Sequence, residues 1–119
     1  MDFSIPSPFE WNSSFDVKNE ELNTQHKNLF VKIAALESDQ SNAALLKDLM
    51  DYVVLHFDTE EAKQQAAGVL SDDHKGIHTQ FLQDCGKVTA VNADTINFLK
   101  GWLVKHIKAS DIPDYAGRL

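Results

Sequence analysis

All five histidines of the chain fall on the apolar face of a predicted helix, and this feature limits the possible folds more than any other. In the apolar run from Asn97 to Asp111, His106 follows Ile96, Leu99 and Leu103 at helical spacing. The other histidines occupy equivalent positions on three further segments: His26, His56, His74 and His78. Burying so many imidazoles costs free energy unless something satisfies them together. A shared metal centre would do so.

Glycine, proline and capping residues divide the chain into four predicted helices. They cover residues 17 or 19–37, 41 or 42–67, 72–85 and 93–109 or 110. Ser71 is a candidate N-cap, Gly68 and Gly86 are expected stops, and Pro113 should prevent the last helix from continuing. Short loops between helices predict an all-α, up-down-up-down four-helix bundle. Residues 1 to about 18 form a predicted ordered arm whose apolar anchors are Phe3, Ile5, Phe9, Trp11 and Phe15.

The length, composition and net charge of the chain limit the classes of protein to which it can belong. The 119 residues suit a single domain, and 43% hydrophobic residues with only 5 Gly and 3 Pro favour a helical one. A net charge of -7 disfavours nucleic-acid binding. There is no apolar run of the roughly 18 residues that a membrane span needs, and no secretory signal pattern at the start. Cys85 is the single cysteine, so we expect no internal disulfide and a cytoplasmic location.

Two pairs of candidate metal ligands have a spacing of four residues, which places both members on one helix face. They are His56 with Glu60 and His74 with His78. Asp111 follows His106 by five residues, which is about 140° round an ideal helix. It can therefore join the site only if the helix ends near Ser110, as Pro113 suggests.

The predicted ligands contain imidazole and carboxylate but no thiolate, a set that suits iron, manganese or zinc. The set is His26, His56, Glu60, His74, His78, His106 and Asp111. Because seven ligands exceed what one ion holds, two ions are expected, with about twelve octahedral positions. Five imidazoles, two bridging carboxylates and a bridging oxide or hydroxide leave about one position open. An open position beside an apolar cavity favours a small neutral ligand such as dioxygen, and histidine-rich ligation favours reversible binding over oxidation of a substrate.

These motifs resemble the hemerythrin family, above all its monomeric muscle form. The resemblance covers the whole chain: I-P-S-P-F-E-W at residues 5–11, H-K at 26–27, H-F-D-T-E-E at 56–61, H-x-x-x-H at 74–78 and W-L-V-K-H-I-K-A-S-D at 102–111. The longer connection at residues 86–97 also resembles the monomeric form, so a monomer is expected. Two residues and one segment depart from the family pattern. Gln25 stands where an acidic residue is common, Val69 lies near a position where relatives often have tyrosine, and residues 112–115 replace the more usual Phe-x-Tyr.

The resemblance implies a non-haem di-iron centre that binds dioxygen and has no catalytic residues. It implies two iron ions with a bridging oxide or hydroxide, and oxygen held end-on at the open iron as a hydroperoxide. His74, His78 and His106 would hold the filled iron, while His26 and His56 would hold the open one. Glu60 and Asp111 would bridge them. The implied apolar oxygen pocket is Leu29, Phe57, Trp102, Leu103 and Ile107.

Other functions remain open at the level of sequence. The same ligands could store or buffer iron or another divalent ion, since affinity alone does not select the metal. A di-iron oxidase or peroxidase would need a substrate route and a proton donor, and the candidate pocket residues are apolar. A sensor would need a partner domain to receive its signal. Storage or transport of dioxygen is therefore the leading hypothesis.

Overall fold

The computed structural model describes residues 3–119 and contains four long helices. They are α1 (Glu20–Ser38), α2 (Ala43–Ala67), α3 (Asp72–Cys85) and α4 (Ala93–His106). A π-helical segment, Ile107–Asp111, and a short α5, Ile112–Tyr115, continue α4, and a 3-10 turn at Ser13–Phe15 precedes α1. The residues described include no strand, so the predicted all-α class is confirmed.

Cross-helix contacts show that neighbouring helices run antiparallel. Along α1, Glu21 pairs with Lys63 and Lys32 with Asp48, so the partner numbers on α2 fall as those on α1 rise. Between α3 and α4, Phe81 packs near Phe98, while His74 lies near His106. This is the up-down-up-down arrangement predicted from the short loops.

Each long helix begins at a polar side chain that accepts a hydrogen bond from a free backbone N–H of the first turn. Asn19, Asn42, Ser71 and Asn92 serve as N-caps, and Thr95 completes a reciprocal capping box with Asn92. The end of α2 lies at Gly68, whose φ of 73° is a left-handed conformation that glycine adopts without strain. The helix limits thus follow local chemistry and lie within about three residues of the prediction, except at the end of α4.

The N-terminal arm packs its aromatic residues against α1. The rings of Phe9 and Phe15 lie 4.4 and 5.0 Å from that of Phe30, measured between centroids, and both are buried. Phe3 and Ile5, which were also predicted to anchor the arm, are instead 39% and 42% exposed. The arm is therefore held by its second half, where the chain runs directly into α1.

The end of α4 differs from the prediction. The helix does not stop near Ser110: the N–H of Ile112 donates to the carbonyl of Ile107, five residues back, and the chain stays helical to Tyr115. Pro113 has no N–H to donate to the carbonyl four residues before it, which removes an α-helical hydrogen bond in this region. A π turn accommodates that loss without ending the helix.

Candidate metal centre

The seven predicted ligands come from all four helices and meet in the interior of the bundle. Their side chains are almost completely buried, with 0–3% of the residue surface exposed. They are supplied by α1 (His26), α2 (His56, Glu60), α3 (His74, His78), α4 (His106) and the π segment (Asp111). No single helix could present them, so the site exists only in the assembled bundle.

The π segment explains how Asp111 reaches the site from five residues beyond His106. A π helix turns through a smaller angle per residue than an α-helix, so a fifth residue returns close to the original face. Asp111 Oδ1 accordingly lies 3.1 Å from Nε2 of His106. The expectation that Asp111 can reach the site only if the helix ends near Ser110 was wrong. The wider π turn brings the Asp111 carboxylate to the same face as His106 while the helix continues.

The two carboxylates divide their oxygen atoms between two groups of imidazoles. Oε1 of Glu60 lies 2.9 Å from Nε2 of His74, 3.2 Å from Nε2 of His78 and 3.7 Å from Nε2 of His106. Oε2 of the same carboxylate lies 3.1 Å from Nε2 of His56 and 3.5 Å from Nε2 of His26. Glu60 therefore stands between a group of three imidazoles and a group of two.

Asp111 is divided in the same way. Its Oδ1 atom lies 3.1 Å from Nε2 of both His74 and His106, and its Oδ2 atom lies 3.3 Å from Nε2 of His26. Two sets of ligand atoms are thus close enough to surround an ion each. They are Glu60, His74, His78, His106 and Asp111 in one set, and His26, His56 and Glu60 in the other.

Several of these buried atoms find no hydrogen-bond partner of good geometry among the described residues. They are Nε2 of His26, Nε2 of His56 and both carboxylate oxygens of Asp111. Nε2 of His78 also faces Nε2 of His106 at 3.0 Å, and at most one of the two can carry a proton toward the other. Unpaired polar atoms in a protein interior are costly. Cations between these nitrogen and oxygen atoms would satisfy them, so the donor set fits metal binding.

The carboxylates are held in their charged form. Burial alone would raise the pKa of Glu60, but contacts with His106, His26, His56 and His74 outweigh it and leave this pKa well below its ordinary value. Burial and the charge of Glu60 would likewise raise the pKa of Asp111, but the imidazoles lower it to about 2. Both bridging candidates are therefore anionic at neutral pH.

The histidines respond unequally to the same surroundings. Burial lowers the pKa of His74, but contacts with Asp111, Glu60 and Asp114 outweigh it and raise the value to about 11. The balance also raises the pKa of His106, to about 9, and that of His26. Burial dominates for His56, so its pKa is lowered. The interior attracts positive charge most strongly around His74 and His106, which suits a cation as well as a proton.

The sequence did not reveal the polar residues that form hydrogen bonds with the candidate ligands: Asp114, Glu61 and Tyr115. Asp114 accepts a hydrogen bond from Nδ1 of His74 at 2.7 Å, and Glu61 accepts one from Nδ1 of His78 at 2.8 Å. Tyr115 donates its hydroxyl to Oε2 of Glu60 at 3.0 Å. Two of these three lie in the segment 112–115 that departs from the family pattern. That departure was their only signal, because the π turn that positions them cannot be read from spacing.

A small apolar cavity adjoins the ligands. Its volume is about 20 Å³, enough for roughly one molecule the size of water. Of the five predicted pocket residues, Leu29, Phe57, Trp102 and Leu103 line it, whereas Ile107 is fully buried but does not line it. His56 and His106 are also in its wall, and the other lining residues are Ile33, Leu49, Met50, Val53, Phe81 and Leu99.

Comparison with known proteins agrees with this geometry. Residues 17–111 match the family model described as "Hemerythrin HHE cation binding domain". The chain belongs to the hemerythrin family. As a hemerythrin it is similar over nearly its whole length to several relatives. A hemerythrin-like protein of Naegleria gruberi is 49% identical over 115 residues, covering 94% of this chain and 95% of the relative.

Two myohemerythrins are also similar to this hemerythrin chain. Myohemerythrin-1 of Phascolopsis gouldii is 40% identical, covering 98% of this chain and 99% of its own. The myohemerythrin of Riftia pachyptila is 38% identical, with 100% of each chain covered. The family description as a cation binding domain agrees with a buried cluster of imidazoles and carboxylates that could hold a metal ion. Within the described part of the chain, every helix is too short or too polar to span a lipid bilayer.

Proposed function

We propose that this hemerythrin binds dioxygen reversibly, for storage or transport, at a non-haem centre of two iron ions. The observation that carries the proposal is the division of Glu60 and Asp111 between two groups of imidazoles beside an apolar cavity. In this proposal His74, His78 and His106 hold one iron, His26 and His56 hold the other, and the carboxylates bridge them. When bound, two ferrous ions would supply the electrons and the open position that allow dioxygen to be held and released.

The residues around the site support binding over catalysis. The three-imidazole side would be filled by five protein ligands. The two-imidazole side offers His26, His56 and Glu60, with Oδ2 of Asp111 3.3 Å from His26. His56 also lines the cavity, with Leu29 and Leu103 as apolar neighbours. An apolar wall admits a small neutral molecule and disfavours the water and anions that would promote irreversible oxidation.

A proton donor lies near the bridging carboxylate but not in the cavity wall. The Tyr115 hydroxyl donates to Oε2 of Glu60, and burial with the nearby charges of Asp111 and Glu60 raises its pKa. It therefore stays protonated and orients the carboxylate. Because its hydrogen is directed at Glu60, it serves to position a ligand, and we propose that the protein is not an enzyme.

We further propose that residues 1–119 act as one domain, as a monomer in the cytoplasm. The matches to the myohemerythrins extend over nearly the full chain, and the family resemblance of the connection between α3 and α4 supports the monomeric form.

The proposal is tested by reconstitution with ferrous iron in the absence of air, followed by visible spectra through repeated cycles of oxygen and vacuum. We expect an absorption band that appears with oxygen and disappears under vacuum in every cycle. A single irreversible conversion to ferric protein would instead indicate an oxidase or an iron-storage protein. Failure to take up iron would contradict the di-iron centre itself.

A further inference from the structure

The outer nitrogen atoms of the five imidazoles have unequal partners. On the three-imidazole side, Nδ1 of His74 and Nδ1 of His78 each donate to a carboxylate, that of Asp114 or Glu61. On the two-imidazole side, Nδ1 of His56 faces the neutral amide oxygen of Gln25 at 2.7 Å. Nδ1 of His26 finds no partner among residues 3–119, and neither does that of His106. Carboxylates thus accept hydrogen bonds from the outer imidazole nitrogens on only one side of the centre.

The orientation of the Gln25 amide follows from its second contact. The Thr59 hydroxyl donates its one hydrogen to the carbonyl of Leu55 at 2.9 Å, so its oxygen can only accept from the amide nitrogen of Gln25, 3.3 Å away. The amide oxygen must then face His56. Because that oxygen only accepts, Nδ1 of His56 carries the proton and its Nε2 lone pair faces Glu60, 3.1 Å away.

The charge of an outer partner changes the strength of a metal ligand. A carboxylate that accepts from the far nitrogen of an imidazole makes that imidazole more basic and holds it in place, whereas a neutral amide orients it without adding charge. Loss of such a partner typically weakens metal binding by about 10- to 100-fold. Gln25 is only 9% exposed, so solvent does little to screen its effect on His56.

We propose that the two metal positions fill in a fixed order, and that Gln25 sets the affinity of the second. The position held by His74, His78 and His106 fills first. The position held by His26 and His56 fills second and empties first, because Gln25 holds His56 in the correct tautomer without the negative charge of a carboxylate. The inference rests on the proposed two-metal centre. Because both positions must be filled to bind oxygen, the amount of oxygen-binding protein would depend on the concentration of free ferrous ion.

The test is an anaerobic titration of the chelator-stripped protein with ferrous ion in competition with a chromophoric chelator. The wild-type protein should bind two ions in two resolved steps. Gln25→Glu keeps the acceptor and adds charge, so the second step should tighten by roughly 10- to 100-fold while the first changes little. Gln25→Met removes the acceptor, so the second step should weaken by a factor of the same order.

The pair of variants separates an electrostatic role from mere packing. If Gln25 only fills space, neither substitution changes the second step, because Glu and Met are similar in size to Gln. The reduction potential gives a second readout, since a carboxylate behind His56 should stabilise ferric iron and lower the potential. Gln83→Glu, an exposed position on α3, makes the same change in charge away from the imidazoles and should leave both steps unchanged.

The outcomes are distinguishable. Wild-type protein that binds no ferrous ion would overturn the proposed function and this inference together. Two ions bound in a single unresolved step, or a second step that Gln25→Glu leaves unchanged or weakens, would overturn this inference alone. Circular dichroism confirms that each variant is folded. If Gln25→Met does not fold, the direction of the Gln25→Glu effect still decides.

Discussion

At the scale of single residues, the central feature is a buried carboxylate whose two oxygens serve different neighbours. Glu60 is completely buried and lies within 3.5 Å of an Nε2 atom on each side. Such a group is costly to bury unless its charge is balanced. The imidazoles and the Tyr115 hydroxyl balance it in part, and two cations would complete the balance. Its role as a bridge can therefore be tested by removing its charge alone.

Glu60→Gln is expected to lower the iron content of reconstituted protein from two ions per chain to one or fewer. The amide keeps the shape of the side chain but lacks the negative charge that bridging two cations requires. The measurement is iron per chain after gel filtration. Glu20→Gln, at an exposed position in the first turn of α1, is the control and should retain full iron. Two tightly bound ions in Glu60→Gln would contradict the bridging role.

Leu103→Asn places an amide in the wall of the apolar cavity. We expect several-fold faster irreversible oxidation of the oxygenated protein, because a polar wall admits water and anions. We also expect a loss of stability of roughly 1–3 kcal/mol, since the amide is buried without an assured partner. The rate is followed by visible absorbance in air. Leu46→Asn, on α2 outside this cavity, should leave the rate unchanged, and equal rates in all three proteins would show that the cavity does not protect the centre.

At the scale of secondary structure, the π segment Ile107–Asp111 is the element on which the site most depends. It corrects the spacing between His106 and Asp111 and carries the chain on to Asp114 and Tyr115. Both of these contact site residues. One wide turn therefore positions the candidate ligand Asp111 and two residues that contact other candidate ligands, His74 and Glu60.

Insertion of one alanine between Ser110 and Asp111 should rotate the carboxylate by about 100° away from the imidazoles. We expect weaker iron binding and a content below two ions per chain, with helical circular dichroism nearly unchanged. The matched control is one alanine inserted after Thr89, in the connection between α3 and α4. If the first insertion retained both ions, Asp111 would not be a ligand.

The sequence predicted four helices and their order because apolar periodicity and caps are local signals. It also selected the seven side chains that the bundle brings together. It did not predict the π turn, because a helix that ends near Pro113 and a helix that continues through a wider turn are both compatible with the same sequence. It did not predict the contacts of Gln25 and Glu61 with His56 and His78, because these depend on how α1, α2 and α3 are aligned in three dimensions.

At the scale of the whole molecule, the bundle holds five imidazoles against two carboxylates with almost no access to solvent. Contacts with the carboxylates raise the pKa of His74 to about 11 and that of His106 to about 9, and they also raise that of His26. The pKa of His56 is instead lowered, because burial outweighs the contacts with the carboxylates. Folding without metal is therefore linked to proton uptake near neutral pH.

The chelator-stripped protein should be less stable at about pH 9 than at about pH 6.5. Groups with raised pKa values contribute fully below the unfolded value of about 6.5 and lose that contribution as the pH rises through the folded values. The free energy of unfolding should fall by about 1.4 kcal/mol per pH unit for each excess proton that the folded state binds. The opposite shift of His56 removes part of the effect.

Urea unfolding at the two pH values measures this difference. Zinc-loaded protein is the control, because metal replaces protons at the imidazoles, and its stability should not fall over the same range. Stability of the stripped protein that rises between pH 6.5 and 9 would contradict the assigned charges. Acid acts separately: the contribution of Asp111 is lost as the pH falls below about 4 towards its folded pKa of about 2.

Reversible oxygen binding at a pair of iron ions is best examined by measuring the gas itself. Ferrous protein of known iron content is exposed to a measured volume of oxygen and then evacuated, and uptake and release are quantified over several cycles. We expect one dioxygen to be taken up for every two irons and the same amount to be returned as dioxygen each time. Oxygen that is consumed without being returned, with hydrogen peroxide or water formed and the iron left ferric, would contradict reversible binding.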